Sequence, residues 1–241
     1  MDDSNTSSSA LVSATGHEAP AGLLALLETA GQTIIARAGQ IVLTVGTRSD
    51  DVYVVRSGQV RVTLFSSDGR EVIIRDEGCG DFFGEMAAID GGRRSTSIVA
   101  TALSQLLVVP AEDFRAAIAG TPEASLWFAA HLVARIRSLT ERVYELSTLN
   151  VRSRLHSQLL RLSATSGVIN NAAVLDPAPT HDVLATMIGT HREAVTRELS
   201  YLASVGVVTL ARKRIEIADI AALAGMVRKA VGNESGHEML E

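Results

Sequence analysis

Between Thr33 and Pro110 the apolar positions recur with the period of a strand. Ile34, Ile35, Ile41, Val42 and Val45 begin the pattern, followed by Val52-Tyr53-Val54-Val55. Val60, Val62 and Leu64 then alternate with Arg61 and Thr63, as in a strand with one buried face. Ser66-Ser67-Asp68-Gly69 predicts a hairpin turn in which glycine supplies the positive φ, and Glu71-Val72-Ile73-Ile74-Arg75 returns from it. Ser97 to Val109 reads as two further short strands, and glycines at 39, 46, 58, 69, 78, 80, 84, 91 and 92 punctuate the region. Many short strands with glycine turns predict a closed or rolled antiparallel β structure. Ahead of it, Ala21-Gly22-Leu23-Leu24-Ala25-Leu26-Leu27 predicts a short amphipathic helix that packs on this domain.

The period changes after Gly120. Thr121-Pro122-Glu123 is a helix start, with a threonine cap, a proline in the first turn and an acid at the positive dipole end. Neither proline nor glycine follows until Gly167, and Leu132, Ile136, Leu139, Val143, Leu146 and Asn150 are spaced 4-3-4-3-4. That is a heptad seam on a helix running from Pro122 to about Leu149, roughly 42 Å long. The glycine-rich β surface offers such a seam little room, so a homodimer through Leu132, Ile136, Leu139, Val143 and Leu146 is expected.

From Val151 the chain is helical again. Arg152 to Ser163 predicts one helix, and Asp176-Pro177-Ala178-Pro179-Thr180 a loop that ends in a helix cap. His181 to Ile188, the turn Gly189-Thr190 and His191 to Val205 then form a helix-turn-helix. Val207 to Leu210, a basic tip at Arg212-Lys213-Arg214 and Ile215 to Ile217 predict a two-stranded wing. The expected organisation is α+β: a disordered polar tail at 1–17, a β-roll at 18–120, a dimerisation helix at 121–150, a winged helix-turn-helix at 151–225 and a tail at 226–241, frayed beyond about Gly232.

Composition narrows the function classes. The 241 residues suffice for one large domain or two small ones, and 46% apolar content is ordinary for a globular protein. The single cysteine, Cys79, excludes a disulfide framework or a cysteine-based metal cluster within one chain. The histidines at 17, 131, 156, 181, 191 and 237 show no ligand spacing. No apolar run is long enough to cross a bilayer, and MDDSNTSSS is not signal-like, so a soluble cytoplasmic protein is expected. A net charge of −5 argues against indiscriminate coating of nucleic acid. The charge is uneven, however: Asn150 to Arg214 holds eight Lys/Arg against four Asp/Glu, or +4, leaving −9 elsewhere. Any DNA contact therefore belongs to the C-terminal third.

Two constellations carry chemistry. In Phe83-Gly84-Glu85-Met86-Ala87-Ala88, Gly84 opens a short helical turn from Glu85 to Ile89 whose free N–H groups can face an anion. Arg94 offers a forked cation for phosphate oxygens, and Ser95 adds a short donor. Glu85 would repel phosphate, so its role is to accept from a ribose 2′-hydroxyl. A tight turn with Arg94 paired to Glu85 is the structural alternative. In the second, Thr190-His191-Arg192-Glu193-Ala194-Val195-Thr196-Arg197 opens the second helix of the helix-turn-helix. Arginine pairs bidentately with guanine and glutamate accepts from cytosine N4, which suits Arg192, Glu193 and Arg197 to base edges. Thr180, Thr190, His191, Thr196 and Lys213 are candidate DNA contacts beside them. A solvated helix with an Arg192–Glu193–Arg197 network is the alternative here.

These motifs, GE-x-A and RS in the roll, the long helix, and G-T-x-R-E-x-V-x-R, resemble those of the cyclic-nucleotide-responsive transcription regulators of the catabolite activator and fumarate-nitrate regulator superfamily. The resemblance covers about residues 20 to 225. It implies a cyclic-nucleotide-binding jelly roll with Gly84, Glu85, Met86 and Ala87 at the ribose and Arg94, Ser95 and Thr96 at the phosphate. It also implies TGTGA-like palindromic half-sites in double-stranded DNA, read by Arg192, Glu193 and Arg197, and RNA polymerase as a partner. In cAMP-responsive members two adjacent hydroxyl residues on the long helix touch adenine, and Leu139 and Thr140 stand there in this chain. Thr140 fits and Leu139 departs. Arg75, a second departure, could meet guanine O6 and N7 as readily as it stacks on adenine. A cyclic purine mononucleotide is expected, cAMP ahead of cGMP, with dual recognition open. Cys79 is read as a buried packing thiol, with haem ligation as the other reading. No cofactor beyond the allosteric ligand and no catalytic machinery is expected. The alternative is a regulator of the same fold that is ligand-independent or senses haem or redox state.

Overall fold

The computed structural model describes residues 18–20, 22–65 and 71–235. The tail at 1–17 and the turn at Ser66-Ser67-Asp68-Gly69 lie outside the described residues. The chain divides into two compact units, Met1–Ser138 and Leu139–Glu241.

The first unit opens with α1 (Leu23–Ala30) and continues through β1 (Gln32–Ala36), β2 (Ile41–Leu43), β3 (Val52–Ser57), β4 (Val60–Phe65), β5 (Glu71–Glu77) and β6 (Phe82–Phe83). The short helix α2 (Glu85–Asp90), β7 (Ser97–Ala100), β8 (Ser104–Val109) and α3 (Ala111–Ala119) follow, and then α4 (Pro122–Thr148). The strands form two antiparallel four-stranded sheets in the orders β1-β8-β3-β6 and β2-β7-β4-β5.

The first sheet is covered on both faces along β3, β6 and most of β8, though not along β1, which explains why those strands read as unbroken apolar runs rather than alternating ones. Phe83, Val55 and Leu106 point into the core shared with Val60, Val62 and Ile98 of the second sheet. Their neighbours Phe82, Val54 and Leu107 face α1, α3 and the start of α4, where they meet Leu27, Phe114, Trp127 and Phe128. Adjacent strand residues point to opposite faces, so Phe82 and Phe83 are both buried, each in a different core. The alternation expected along β4 fails after Val62. There the pairing with β5 shifts register, and Thr63 is buried while Leu64 is only half-buried. The inward Thr63 hydroxyl bonds Glu71 Oε1 and the Val72 carbonyl at 3.0 and 3.1 Å, so its burial is satisfied.

Helix α4 starts at Pro122, and the Thr121 hydroxyl accepts from Ala124 N at 3.1 Å. It supplies residues to both units. Asn150, expected as a sixth seam position, lies beyond the helix end and instead caps α5 (Val151–Ser166), accepting from Ser153 N at 3.0 Å. An asparagine side chain satisfies an orphan N–H better than any apolar residue could, which places the break between the two helices there.

The second unit continues with β9 (Val168–Ile169), β10 (Ala172–Leu175), α6 (His181–Ile188), α7 (Arg192–Ser204), β11 (Val208–Ala211), β12 (Arg214–Ile217) and α8 (Ile220–Ser235). Its strands form one sheet ordered β11-β12-β10-β9, so the expected two-stranded wing is half of a larger sheet. The extra hairpin turns at Asn170 and Asn171, with φ of 49° and 64°. Positive φ at both positions is the geometry that two-residue hairpins favour, and asparagine tolerates it. The tail expected from 226 is helical as far as Ser235. Asp219 Oδ1 accepts from Ala222 N at 2.8 Å and from the Asn171 amide at 2.9 Å, and Asn171 Oδ1 accepts from Ala221 N, so two distant residues cap α8 together. Leu155, Leu159, Leu184, Val195, Leu199, Leu202, Ile217 and Leu223 make the core. Among the described residues no helix is long and apolar enough to cross a membrane.

Candidate functional site

Gly84 caps α2 with φ 88°, a conformation that a side chain rarely adopts. A Cβ there would meet Arg94 Nη1 at 2.8 Å and the Asp51 carbonyl at 2.9 Å. The glycine is required by close approach as well as by its backbone. Arg94 is buried, and its guanidinium donates from Nε to Ser49 Oγ at 2.8 Å, from Nη1 to the Gly84 carbonyl at 2.9 Å and from Nη2 to the Asp51 carbonyl at 2.8 Å. Its backbone closes the 46–47 turn as well, with Arg94 N on the Thr47 carbonyl and Gly46 N on the Arg94 carbonyl. The cation also lies over the Tyr53 ring, which stacks on Phe83 at 5.1 Å between centroids. Arg94 thus knits three segments together at the position expected for phosphate, and the alternative of a direct Glu85 pairing is replaced by bonds to backbone oxygens. Ser95 is exposed, with Oγ 3.5 Å from Met86 Sδ.

Glu85 is buried at the start of α2. Burial pushes its carboxyl above the usual range, against its own backbone N–H and the positive charges of Arg75 and Arg135. A second carboxylate, Glu77, is 1% exposed and holds both arginines. Arg135 Nη2 reaches its two oxygens at 2.7 and 2.9 Å, and Arg75 Nε bonds Oε1. Asp81 lies near this group, its carboxyl pushed up to about 6 by burial and by the Glu77 charge. His131, on α4, stacks on Phe82 at 4.2 Å and is pushed down to about 3 by burial and by Arg135 and Arg75. Sequence reasoning missed Glu77, Asp81, His131 and Arg135. The only signal for Arg135 is its place one turn before Leu139, on the helix that also carries Thr140.

The first unit therefore gathers Gly84, Glu85, Met86, Ala87, Arg94, Ser95, Thr96 and Arg75, while Leu139 and Thr140 belong to the second. Arg75 is already paired with Glu77, so it is not a free guanidinium waiting for a base. Cys79 is exposed and donates from Sγ to the Arg56 carbonyl at 3.0 Å, which corrects the buried packing thiol expected from the sequence. It sits between Gly78 and Gly80 in the turn after β5.

In the second unit Thr180 caps α6, its hydroxyl accepting from Val183 N at 3.3 Å. Gly189 at φ 65° ends α6, and Arg192 begins α7. Val195, Glu198, Leu199 and Leu202 turn inward from α7, which leaves Arg192, Glu193, Thr196 and Arg197 exposed on its outer face. Arg192 pairs with Asp182 of α6 at 3.4 Å between two well-exposed side chains, a contact worth little in water. The alternative reading, a network of Arg192, Glu193 and Arg197, is not what the helix shows: the ion pair of Arg192 runs to Asp182 instead. His181 Nδ1 meets Thr196 Oγ1 at 2.8 Å, tying the two helices of the motif. His191 is the exposed residue before α7, and Lys213 turns the β11–β12 tip at φ 57° between exposed Arg212 and Arg214.

Ile136, Leu139, Val143 and Leu146 form an exposed apolar stripe on α4, 47–63% exposed, while Leu132 packs against the first unit's own core. The surface layout is thus a buried arginine–glycine cradle, an apolar helix stripe and a charged helix face with a basic strand tip.

Residues 33–121 match the family described as cyclic nucleotide-binding domain, and residues 153–226 match the Crp-like helix-turn-helix domain. The cyclic AMP receptor protein of Thermus thermophilus is 34% identical over 187 residues, covering 77% of this chain and 83% of that protein. A CRP-like cAMP-activated global transcriptional regulator of Mycobacterium tuberculosis is 29% identical over 194 residues, 79% of this chain and 85% of that one. Among solved structures, a CRP/FNR-family transcriptional regulator from Thermus thermophilus superposes with a TM-score of 0.66 at 28% identity, over 82% of this chain and 98% of that chain. With both modules matched in order, and the α+β fold that carries them described above, the chain belongs to the CRP/FNR family of transcription regulators.

Proposed function

We propose that this chain is a homodimeric, cytoplasmic regulator in which a cyclic purine mononucleotide, cAMP ahead of cGMP, controls binding to a TGTGA-like palindrome. The observation that carries the reading is the cradle of Gly84, Glu85 and Arg94 within the stretch that matches a cyclic nucleotide-binding domain. Arg94 and the Ser95-Thr96 segment hold the phosphate, and Glu85 accepts from the ribose 2′-hydroxyl. Thr140 meets the base, with Arg75 and Leu139 setting the choice between purines. In the dimer, the stripe from Ile136 to Leu146 forms the seam, with Leu132 at its start. On DNA, Arg192, Glu193 and Arg197 read base edges in the major groove. Thr180, Thr190, His191, Thr196 and Lys213 contact the backbone and fix the register. RNA polymerase is the downstream partner, and the nucleotide leaves unchanged, as an effector rather than a substrate or cofactor.

Calorimetric titration with cAMP and with cGMP tests the cradle. Arg94 also holds Ser49, Asp51 and Gly84 in place, so Glu85→Gln is a cleaner probe than Arg94→Ala. Loss of a charged acceptor should weaken binding roughly tenfold or more with folding intact. Absence of heat with either nucleotide from folded protein would remove the assignment. A gel shift on the palindrome that is the same with and without nucleotide would favour the ligand-independent reading instead.

A further inference from the structure

Glu198 is the one carboxylate on the buried face of α7, 6% exposed among Val195, Leu199 and Leu202. It lies next to Arg197 in the chain but points the other way, into the protein. Arg152 Nε reaches its Oε2 at 2.7 Å and His156 Nε2 meets its Oε1 at 2.8 Å. Burial lowers the His156 pKa against the opposing pull of Glu198, and since a carboxylate only accepts, the ring's Nε2–H is the donor. The Arg152 guanidinium also covers the Tyr201 ring at 4.8 Å, one turn further along α7. Arg152 and His156 stand one turn apart near the start of α5, whose cap Asn150 is separated from α4 by Leu149 alone.

The same stretch of α5 is fixed to the other helix of the motif. Arg154 Nε donates to the Ile188 carbonyl at 2.9 Å, and its Nη1 to the Leu149 carbonyl at 2.8 Å. Helix α5 therefore acts as a reference bar: Arg154 holds it to the end of α6, while Arg152 and His156 hold α7 to it through Glu198.

We infer that Glu198 is a positioning residue for DNA reading, one that sets the roll of α7 about its own axis and thereby the aim of Arg192, Glu193 and Arg197. Apolar packing by Val195, Leu199 and Leu202 is non-directional and tolerates small rotations. Charge-assisted hydrogen bonds from two fixed donors are directional and do not. A roll of about 20° moves a Cα, about 2.3 Å from the axis, by about 0.8 Å, and an arginine tip by several times that. Bidentate contacts to a base edge do not survive such a shift, whereas contacts to phosphates along the backbone adapt to it. The carboxylate thus acts on sequence discrimination more than on affinity as such.

The inference rests on α7 being the base-reading helix, and its test keeps the two apart. Wild-type full-length protein with cAMP is used to select its preferred duplex from a random pool, and binding to that duplex is compared with binding to an unrelated one. The double variant Glu198→Met with His156→Leu replaces the buried polar group by apolar side chains of similar size, an exchange that is often neutral for stability. It should melt near the wild-type temperature, yet its ratio of specific to non-specific affinity should fall about tenfold, the weight of one good base contact. Glu198→Gln keeps the volume, leaves one donor facing another, and should show the same loss if the double variant fails to fold. An unchanged ratio, or equal weakening on both duplexes, overturns the role of Glu198 while leaving α7 as the reader. A wild-type protein that selects no sequence overturns both.

Discussion

Asp81 and His131 belong to the same unit and bias its stability in opposite directions. A free aspartate titrates near 3.9, whereas Asp81 is raised to about 6 by burial and the Glu77 charge. The folded state therefore keeps a proton that the unfolded chain has lost, and the stability this gives is lost as pH rises through about 6. His131 runs the other way: lowered to about 3, it favours the folded state above the unfolded value of about 6.5, and that advantage drains away as pH falls toward 3. Between the two values the slopes oppose each other. Asp81→Asn should remove one of them, since a neutral amide mimics the protonated acid and can still accept from Gly78 N, now at 2.8 Å. Urea unfolding should then show the variant more stable than wild type by up to about 2–3 kcal/mol at pH 7.5, with the gain gone by pH 4. Equal stability at pH 7.5 would mean that Asp81 is not held in an unfavourable charged state. Gly84, Glu85 and Arg94 were legible in the sequence because their chemistry lies within eleven residues of one another. Glu77, Asp81, His131 and Arg135 were not, because a charged residue on a strand or helix reads as solvated until the fold brings its partner from 58 positions away.

At the scale of elements, periodicity served best where an element has one buried face. The inward Val195, Leu199 and Leu202 of α7 follow from spacing alone, as does the apolar stripe of α4, which stays exposed in the single chain. It failed where burial is two-sided, where β4 shifts register, and where strands are as short as Val168–Ile169. The start of α8 was missed because half of its cap comes from Asn171, 50 residues from the Ala221 N–H it accepts. The stripe on α4 carries a prediction of its own. Val143 is 63% exposed in the single chain, so Val143→Asp damages no core that the chain itself builds. At a dimer seam, however, the aspartate would be stripped of water opposite apolar side chains, a burden of several kcal/mol per dimer. Sedimentation equilibrium should show a wild-type dimer and a variant that dissociates at least about a hundredfold more readily, with unchanged helical circular dichroism. Identical association in both would move the dimer contact elsewhere.

The whole molecule couples its two modules only if ligand and DNA each distinguish the same two arrangements of the chain. Charge already separates their tasks, with +4 on Asn150 to Arg214 and −9 on the rest, so attraction to DNA is concentrated in that stretch and not spread over the chain. Helix α4 is the element that contributes residues to both units, with Arg135 near the cradle's carboxylates in the first, and Arg142 bonding the Met187 carbonyl in the second. Coupling of this kind is reciprocal: if the proposed nucleotide changes operator affinity by some factor, the operator must change nucleotide affinity by the same factor, about 5–150-fold in typical cases. Replacing Arg137 and Ser138 by glycines, at the boundary of the units, loosens the helix at about 1 kcal/mol per residue without shifting the seam. The substitutions leave Glu85, Arg94 and α7 untouched but adjoin Leu139 and Thr140 at the proposed base end, so nucleotide affinity measured without DNA should fall by no more than about tenfold, while the coupling factor falls toward one. Retention of the full factor in fluorescence titrations run in both orders would mean that the signal travels by a route other than α4.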